Sequence, residues 1–230
     1  MRTPWVAFVL IAGLVPFSAP ALAQTSVALS GYGAFGGTTT GNGTQQSPAN
    51  QAGGMFELRH ISNPIFGFEA TYSYNRANQT YSSAPGDEPA AACPSSGCGS
   101  SVETVRANAH EITADWVPSL GVANFRPFGV LGVGLLLDVP AESQATAYSS
   151  CPACPVGAPG TVLTTGPTST STRAIYVYGA GLDWGLLPHL GLRFQYRGNL
   201  YQAPNVTNLF SSTNAFTHTA EPMAGAYFSF

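Results

Sequence analysis

Residues 65–76, IFGFEATYSYNR, alternate in a way that an extended strand with one apolar and one polar side accommodates. Phe66, Phe68, Ala70, Tyr72 and Tyr74 project one way and Gly67, Glu69, Thr71, Ser73 and Asn75 the other, because successive side chains of a strand leave opposite faces. The period returns in RAIYVYGAGLDWG, where Tyr176, Tyr178, Ala180, Leu182 and Trp184 oppose Val177, Gly179, Gly181 and Asp183. It returns again in LGLRFQYRGN, with Leu190, Leu192, Phe194 and Tyr196 against Arg193, Gln195 and Arg197. A soluble sandwich alternates as well, so the period alone leaves open whether water or lipid lies outside the apolar face.

The contents of the two faces decide. A soluble sheet fills its polar face with Lys, Glu and Thr; here that face holds a few Arg and carboxylates among glycines. Charged residues are 8% of the chain and there is no lysine, where about a quarter charged is usual. Small residues let opposing walls interdigitate and sparse charges pair across a lumen, as in a narrow barrel interior. The other face concentrates Trp and Tyr near strand ends, as membrane-interface girdles do.

Strands are expected near residues 26–36, 53–62, 65–76, 104–117, 127–138, 173–185, 190–201 and 217–230. Their lengths, about 9 to 14 residues, suit a tilted membrane strand. The connections SNP, SLGVANFR and LLPH are short, whereas those starting at Gly37, Ala77, Val139 and Gln202 are long and rich in Ser, Thr, Gly, Asn and Pro. These features predict an all-β fold: a transmembrane antiparallel up-and-down barrel of about eight strands, with four long extracellular loops and short periplasmic turns. An even strand count puts both termini at the periplasmic rim.

The start of the chain predicts the compartment. Arg2, the apolar run Trp5 to Phe17, and Ala21, Leu22 and Ala23 before Gln24 read as a secretory signal peptide over residues 1–23, removed after Ala23. Residues 24–230 then form one barrel domain in the bacterial outer membrane. No run approaches the ~18 apolar residues of a spanning helix. A net charge of −3 without a basic cluster argues against a nucleic-acid partner. No cofactor is expected.

The leader, the alternating strands and the four long loops together resemble the eight-stranded outer-membrane barrel family that includes the OmpA membrane domain and the OmpX/Ail adhesion proteins. At the end of the sequence, EPMAGAYFSF, Gly225, Phe228 and Phe230 resemble that family's terminal assembly signal, with Met223 where a polar residue is usual. The resemblance implies that the outer-membrane assembly machinery recognises Phe230. RPFGVLGVGL, from Arg126, is similar to the Pro-aromatic-glycine fifth strand of such barrels. RHISN, Arg59 to Asn63, resembles the His-x-Ser-Asn segment of outer-membrane lipid A deacylases. However, His60 and Ser62 fall at the periplasmic end of their strand, whereas that family works near the outer leaflet.

Counting back from the short turns sets Arg59 opposite Glu69 and Asp183 opposite Arg193, both facing inward. With Glu57, Glu111, Asp115 and Arg197 in the same lumen, an interior network of Arg and carboxylates is expected, structural rather than catalytic. Cys93, Cys98, Cys151 and Cys154 all fall in long loops. Local closure of Cys93 with Cys98 and of Cys151 with Cys154 is easiest by chain entropy; a cross-loop arrangement or a four-thiolate zinc site are the alternatives. No metal site is expected.

The functional expectation is a structural or surface-interaction role, adhesion-like, with a plugged interior and no open pore. Its partners would be outer-membrane lipids, the assembly machinery and an extracellular partner met through the loops. The alternative is a lipid-modifying enzyme, which needs a histidine, a serine and an acid near the outer rim. His110 and His218, with Glu111 and Glu221 nearby, are its candidates.

Overall fold

The computed structural model describes residues 24–83, 101–150 and 161–230. The leader, residues 1–23, and the four cysteines, Cys93, Cys98, Cys151 and Cys154, lie outside the described residues. In chain order the strands are β1 (Gln24–Gly36), β2 (Thr39–Gly41), β3 (Thr44–Pro48), β4 (Gln51–Ile61), β5 (Gly67–Arg76), β6 (Gln79–Ser83) and β7 (Ser101–Val105). They continue as β8 (Ala107–Trp116), β9 (Phe125–Pro140), β10 (Gln144–Ser150), β11 (Thr161–Pro167), β12 (Ser171–Gly185), β13 (Leu190–Gln202) and β14 (Phe216–Ser229).

Eight of them close an antiparallel barrel in the order β1-β14-β13-β12-β9-β8-β5-β4. The strands match the alternating segments to within a few residues, and local hydrogen bonds set the ends. At the first tight turn the Asn63 side-chain carbonyl accepts the backbone N–H groups of Ile65 and Phe66, each at 3.0 Å, so β5 starts at Gly67. The facing pairs Arg59–Glu69 and Asp183–Arg193 are direct neighbours across the β4–β5 and β12–β13 hairpins.

Three of the four long connections are not plain loops. They contribute β2, β3, β6, β7, β10 and β11 to a second, six-stranded sheet in the order β11-β10-β7-β6-β3-β2. This sheet forms a crown that continues the barrel wall. The backbone N–H groups of Ala49, Ala77 and Ala141 donate to the carbonyls of Asn78, Ala107 and Arg106 across the strand breaks, at 2.8–2.9 Å. The β2–β3 hairpin turns on Asn42 and Gly43, both at positive φ (49° and 72°), the two-residue turn whose twist matches paired strands.

The fourth long connection, residues 203–215, closes the crown. On one side Ser169 N–H donates to Val206 O at 3.1 Å; on the other, Asn42 Nδ2 donates to Ser212 O at 2.8 Å. Gly41 is a glycine because a Cβ there would sit 2.1 Å from the Thr213 carbonyl oxygen. Val206 is fully buried and packs with Tyr81, Val105, Ala145 and Phe210. The connection therefore folds into the crown and does not stand out from it.

The outward barrel face carries Leu29, Phe56, Phe68, Ile112, Leu131, Val133, Tyr176 and Phe194, all exposed, as lipid contact requires. Inward-facing side chains pack against one another. Val130, Leu136, Ile175 and Val177 pack with Phe128 along one wall, and Tyr32, Ala34, Met55 and Met223 along another, with the charged residues between them.

Candidate functional site

The barrel lumen holds the densest chemistry of the described residues, and strand parity is what gathers it. Every second residue of a strand points inward, so Glu57 and Arg59 on β4 and Glu111, Thr113 and Asp115 on β8 form inward ladders. Arg193, Gln195, Arg197 and Asn199 do the same on β13, and all of these side chains are buried.

The lower group sits toward the short turns. Arg193 donates from Nε and Nη2 to the two Asp183 oxygens at 2.7 and 3.0 Å, a bidentate fork. Its Nη1 reaches Glu57 Oε2 at 2.6 Å and Glu69 Oε2 at 3.3 Å. Arg59 Nε donates to Glu69 Oε2 at 2.6 Å and its Nη1 to Asp183 Oδ2 at 3.2 Å, while its guanidinium carbon lies 4.0 Å above the centre of the Phe128 ring. Ser30 Oγ donates to the second Glu57 oxygen at 2.6 Å.

The upper group centres on Arg197. Its guanidinium donates to Asp115 Oδ2 at 2.9 Å, to Glu111 Oε1 at 3.2 Å and to Thr113 Oγ1 at 3.2 Å. Asn199 Nδ2 donates to the other Glu111 oxygen at 3.0 Å.

In the order of the barrel wall, β13 stands opposite β5, and β4 opposite β12. The Arg193–Glu69 and Arg59–Asp183 contacts therefore run across the full width of the lumen. Single-sequence reading missed Phe128 as a cation–π partner, Asp138 as a buried carboxylate and Asn199 as a donor to Glu111. Their inward parity was the available signal.

The histidines lie on the other side of the wall. His110 and His218 hydrogen-bond Tyr72 Oη and Tyr178 Oη at 2.9 and 2.8 Å on the outward face, while Glu111 and Glu221 point inward. Residues an odd number of positions apart on one strand leave opposite faces, one position for His110 and Glu111 and three for His218 and Glu221, so neither histidine joins its acid. His60 also faces outward, 2.9 Å from Thr25 Oγ1, and Ser62 belongs to the turn. At the barrel seam Phe228 and Phe230 face outward with ring centres 6.5 Å apart, and Gly225 lies against β1, where a Cβ would meet Leu29 O at 2.4 Å.

The crown has one buried acid among the described residues, Glu103. Thr207 Oγ1, on the closing connection, lies 3.0 and 2.8 Å from its two carboxylate oxygens. Burial raises the Glu103 carboxyl above the ordinary carboxylate range, opposed by the Thr207 hydroxyl. The closed crown thus binds the Glu103 proton more tightly than an open crown does. Closure is favoured below the ordinary carboxylate value and weakens as pH rises through the raised one. Hydrogen exchange of the Val206 and Leu209 amides, which donate to Tyr81 Oη and Thr207 Oγ1, is expected to show greater protection at acid pH after correction for intrinsic rates. Glu103→Gln should remove that dependence.

Residues 9–220 match the family described as outer membrane protein beta-barrel domain. Among solved structures, the chain is similar to Neisserial surface protein A at 15% identity and a TM-score of 0.47, over 90% of this chain and 97% of that one. It is similar to OprG of Pseudomonas aeruginosa at 9% identity and 0.45, over 90% and 96%. It is also similar to Ail, the attachment invasion locus protein of Yersinia pestis, at 15% identity and 0.38, over 90% and 99%. No curated protein sequence matches.

Proposed function

The chain belongs to the outer membrane protein β-barrel domain family, and we propose that within it this protein is a closed surface barrel, adhesion-like, whose crown and not its lumen does the work. The observation that carries this reading is the pair of guanidinium–carboxylate contacts spanning the lumen from β13 to β5 and from β4 to β12. An eight-stranded barrel is only wide enough for side chains to fill, and here they do so with paired charges. Above them the 203–215 connection fills the crown, held by Val206, Thr207 and the Tyr81 hydroxyl. The result is a rigid, polar outer structure, Ser- and Thr-rich, set to meet an extracellular partner.

In this reading residues 1–23 are the leader, cleaved after Ala23, and residues 24–230 the single barrel domain. The outward apolar face meets outer-membrane lipids, and the assembly machinery reads the terminal Gly225, Phe228 and Phe230 pattern. The cysteines would brace the outer loops, Cys93 with Cys98 and Cys151 with Cys154. The histidines, separated by the wall from the inward acids, lend no support to a lipid-directed enzyme.

Planar-bilayer recording tests the closed lumen. The purified protein is expected to give no large steady single-channel conductance. A stable aqueous conductance that disappears when the lumen is blocked would reject the reading.

A further inference from the structure

Above the Arg197 group the lumen contains a cavity of about 40 Å³, lined among others by Glu111, Asp138, Asn199, Tyr201, Thr219 and Glu221. It is large enough for more than one water-sized occupant. The atoms left over around it are all acceptors. Asp138 Oδ2, Glu221 Oε2 and Asn199 Oδ1 are buried without a hydrogen-bond partner, and the three residues are 1%, 4% and 1% exposed. The residues lining the cavity contribute no orphaned donor to match them, so water alone would leave the charge of the site unbalanced.

The charge count points the same way. Four carboxylates, Glu111, Asp115, Asp138 and Glu221, share the upper lumen. Arg197 pairs with Glu111 and Asp115 only. Arg173 acts electrostatically on Asp138 but forms no ion pair with it among the described residues, and Arg76, at the cavity edge, is exposed. With all four carboxyls ionised, Arg197 and Arg173 leave two negative charges uncompensated, and unpaired buried charge is strongly unfavourable.

We propose that this cavity binds one hard divalent cation, with Asp138 and Glu221 as its carboxylate ligands, the Asn199 carbonyl as a neutral ligand and water completing the shell. Among the described residues no three His, Cys, Asp or Glu side chains converge on one ion, so the site relies on an amide oxygen and water as well as its two acids. Such a mixed, irregular oxygen set suits Ca²⁺, which tolerates variable geometry, better than Mg²⁺, which demands a small octahedron. The ion would tie β9, β13 and β14 together above Arg197.

Protein purified from outer membranes, stripped with EDTA and reconstituted in neutral phosphatidylcholine vesicles would be unfolded in urea at constant ionic strength set by choline chloride. Ca²⁺ at ten times its dissociation constant should raise the folded-to-unfolded ratio about elevenfold. Mg²⁺ should do less, and isothermal titration should find one Ca²⁺ per chain. The Asp138→Asn/Glu221→Gln variant should lose the response while folding at least as stably without Ca²⁺, because it removes the uncompensated charge. An unchanged Ca²⁺ response in that variant would overturn the assignment by locating the ion elsewhere. No response in the parent, together with a gain on acidification that the variant lacks, would overturn it by showing that protons neutralise the site.

Discussion

Replacing Arg193 with methionine is expected to cost the barrel about 3 to 5 kcal/mol, the loss typical when one partner of a buried ion pair is removed. The guanidinium meets three carboxylates, Asp183, Glu57 and Glu69, from three different strands. Without it Arg59 is the one cation left in ion pairs with those acids among the described residues. Water entering the lumen would bring the loss toward the lower figure.

The geometry also dictates which compensations work. Adding Asp183→Asn removes one stranded charge but leaves Glu57, which Arg193 touches at 2.6 Å, with only the Ser30 hydroxyl. Adding Glu57→Gln as well leaves Arg59 paired with Glu69 at 2.6 Å, a balanced remnant. Urea unfolding in lipid vesicles should therefore rank the single variant least stable, the double intermediate, and the triple closest to the parent. Equal stability of all three would mean that water already screens these groups and that the lumen is an aqueous path.

The barrel wall is legible in the sequence because each membrane strand has two chemically different faces. Phe66 to Asn75 shows the period at once, and the turns at 62–66 and 186–189 are short enough to fix register by counting. The faces also foretell that His110 and Glu111, neighbours in sequence, stand on opposite sides of the wall. What counting cannot reach is contact across the lumen. Arg59 meets Asp183 and Arg193 meets Glu69 only because closure brings together strands four apart in the ring, a consequence of stagger that no local pattern encodes.

The crown was harder to see for a different reason. Thr44 to Pro48 and Gln79 to Ser83 are polar on both sides, so the two-residue period has no contrast to display. One signal was present: Asn42-Gly43 between TTG and TQQ is a strong two-residue hairpin turn, and it marks the β2–β3 hairpin. The inward parity of Asp138 and Glu221 was equally readable. Their shared cavity, which depends on closure bringing β9 and β14, three apart in the ring, to one part of the lumen, was not.

Replacing Phe230 with alanine is expected to lower the amount of folded barrel in the outer membrane several-fold while leaving the inserted barrel close to the parent in stability. The two effects separate because the ring and the backbone of Phe230 do different things. Phe230 is 67% exposed, and its outward ring lies 6.5 Å, centre to centre, from that of Phe228. The backbone closes the seam: Phe230 N–H donates to Thr25 O at 2.9 Å, and Thr25 N–H donates to Phe230 O at 3.3 Å. Alanine keeps both seam bonds and removes only the ring, whereas deleting residue 230 removes ring and bonds together. If the assembly machinery reads the terminal aromatic, both changes deplete the outer membrane, yet the alanine variant refolds into pure lipid vesicles, where no machinery acts, as completely as the parent. If the residue serves only the seam, the alanine variant reaches the membrane at parental levels and the deletion alone is depleted. Heat-modifiability on gels, read in envelopes and in vesicles for both variants, distinguishes the two, and parental abundance of Phe230→Ala in the envelope would reject recognition of the ring.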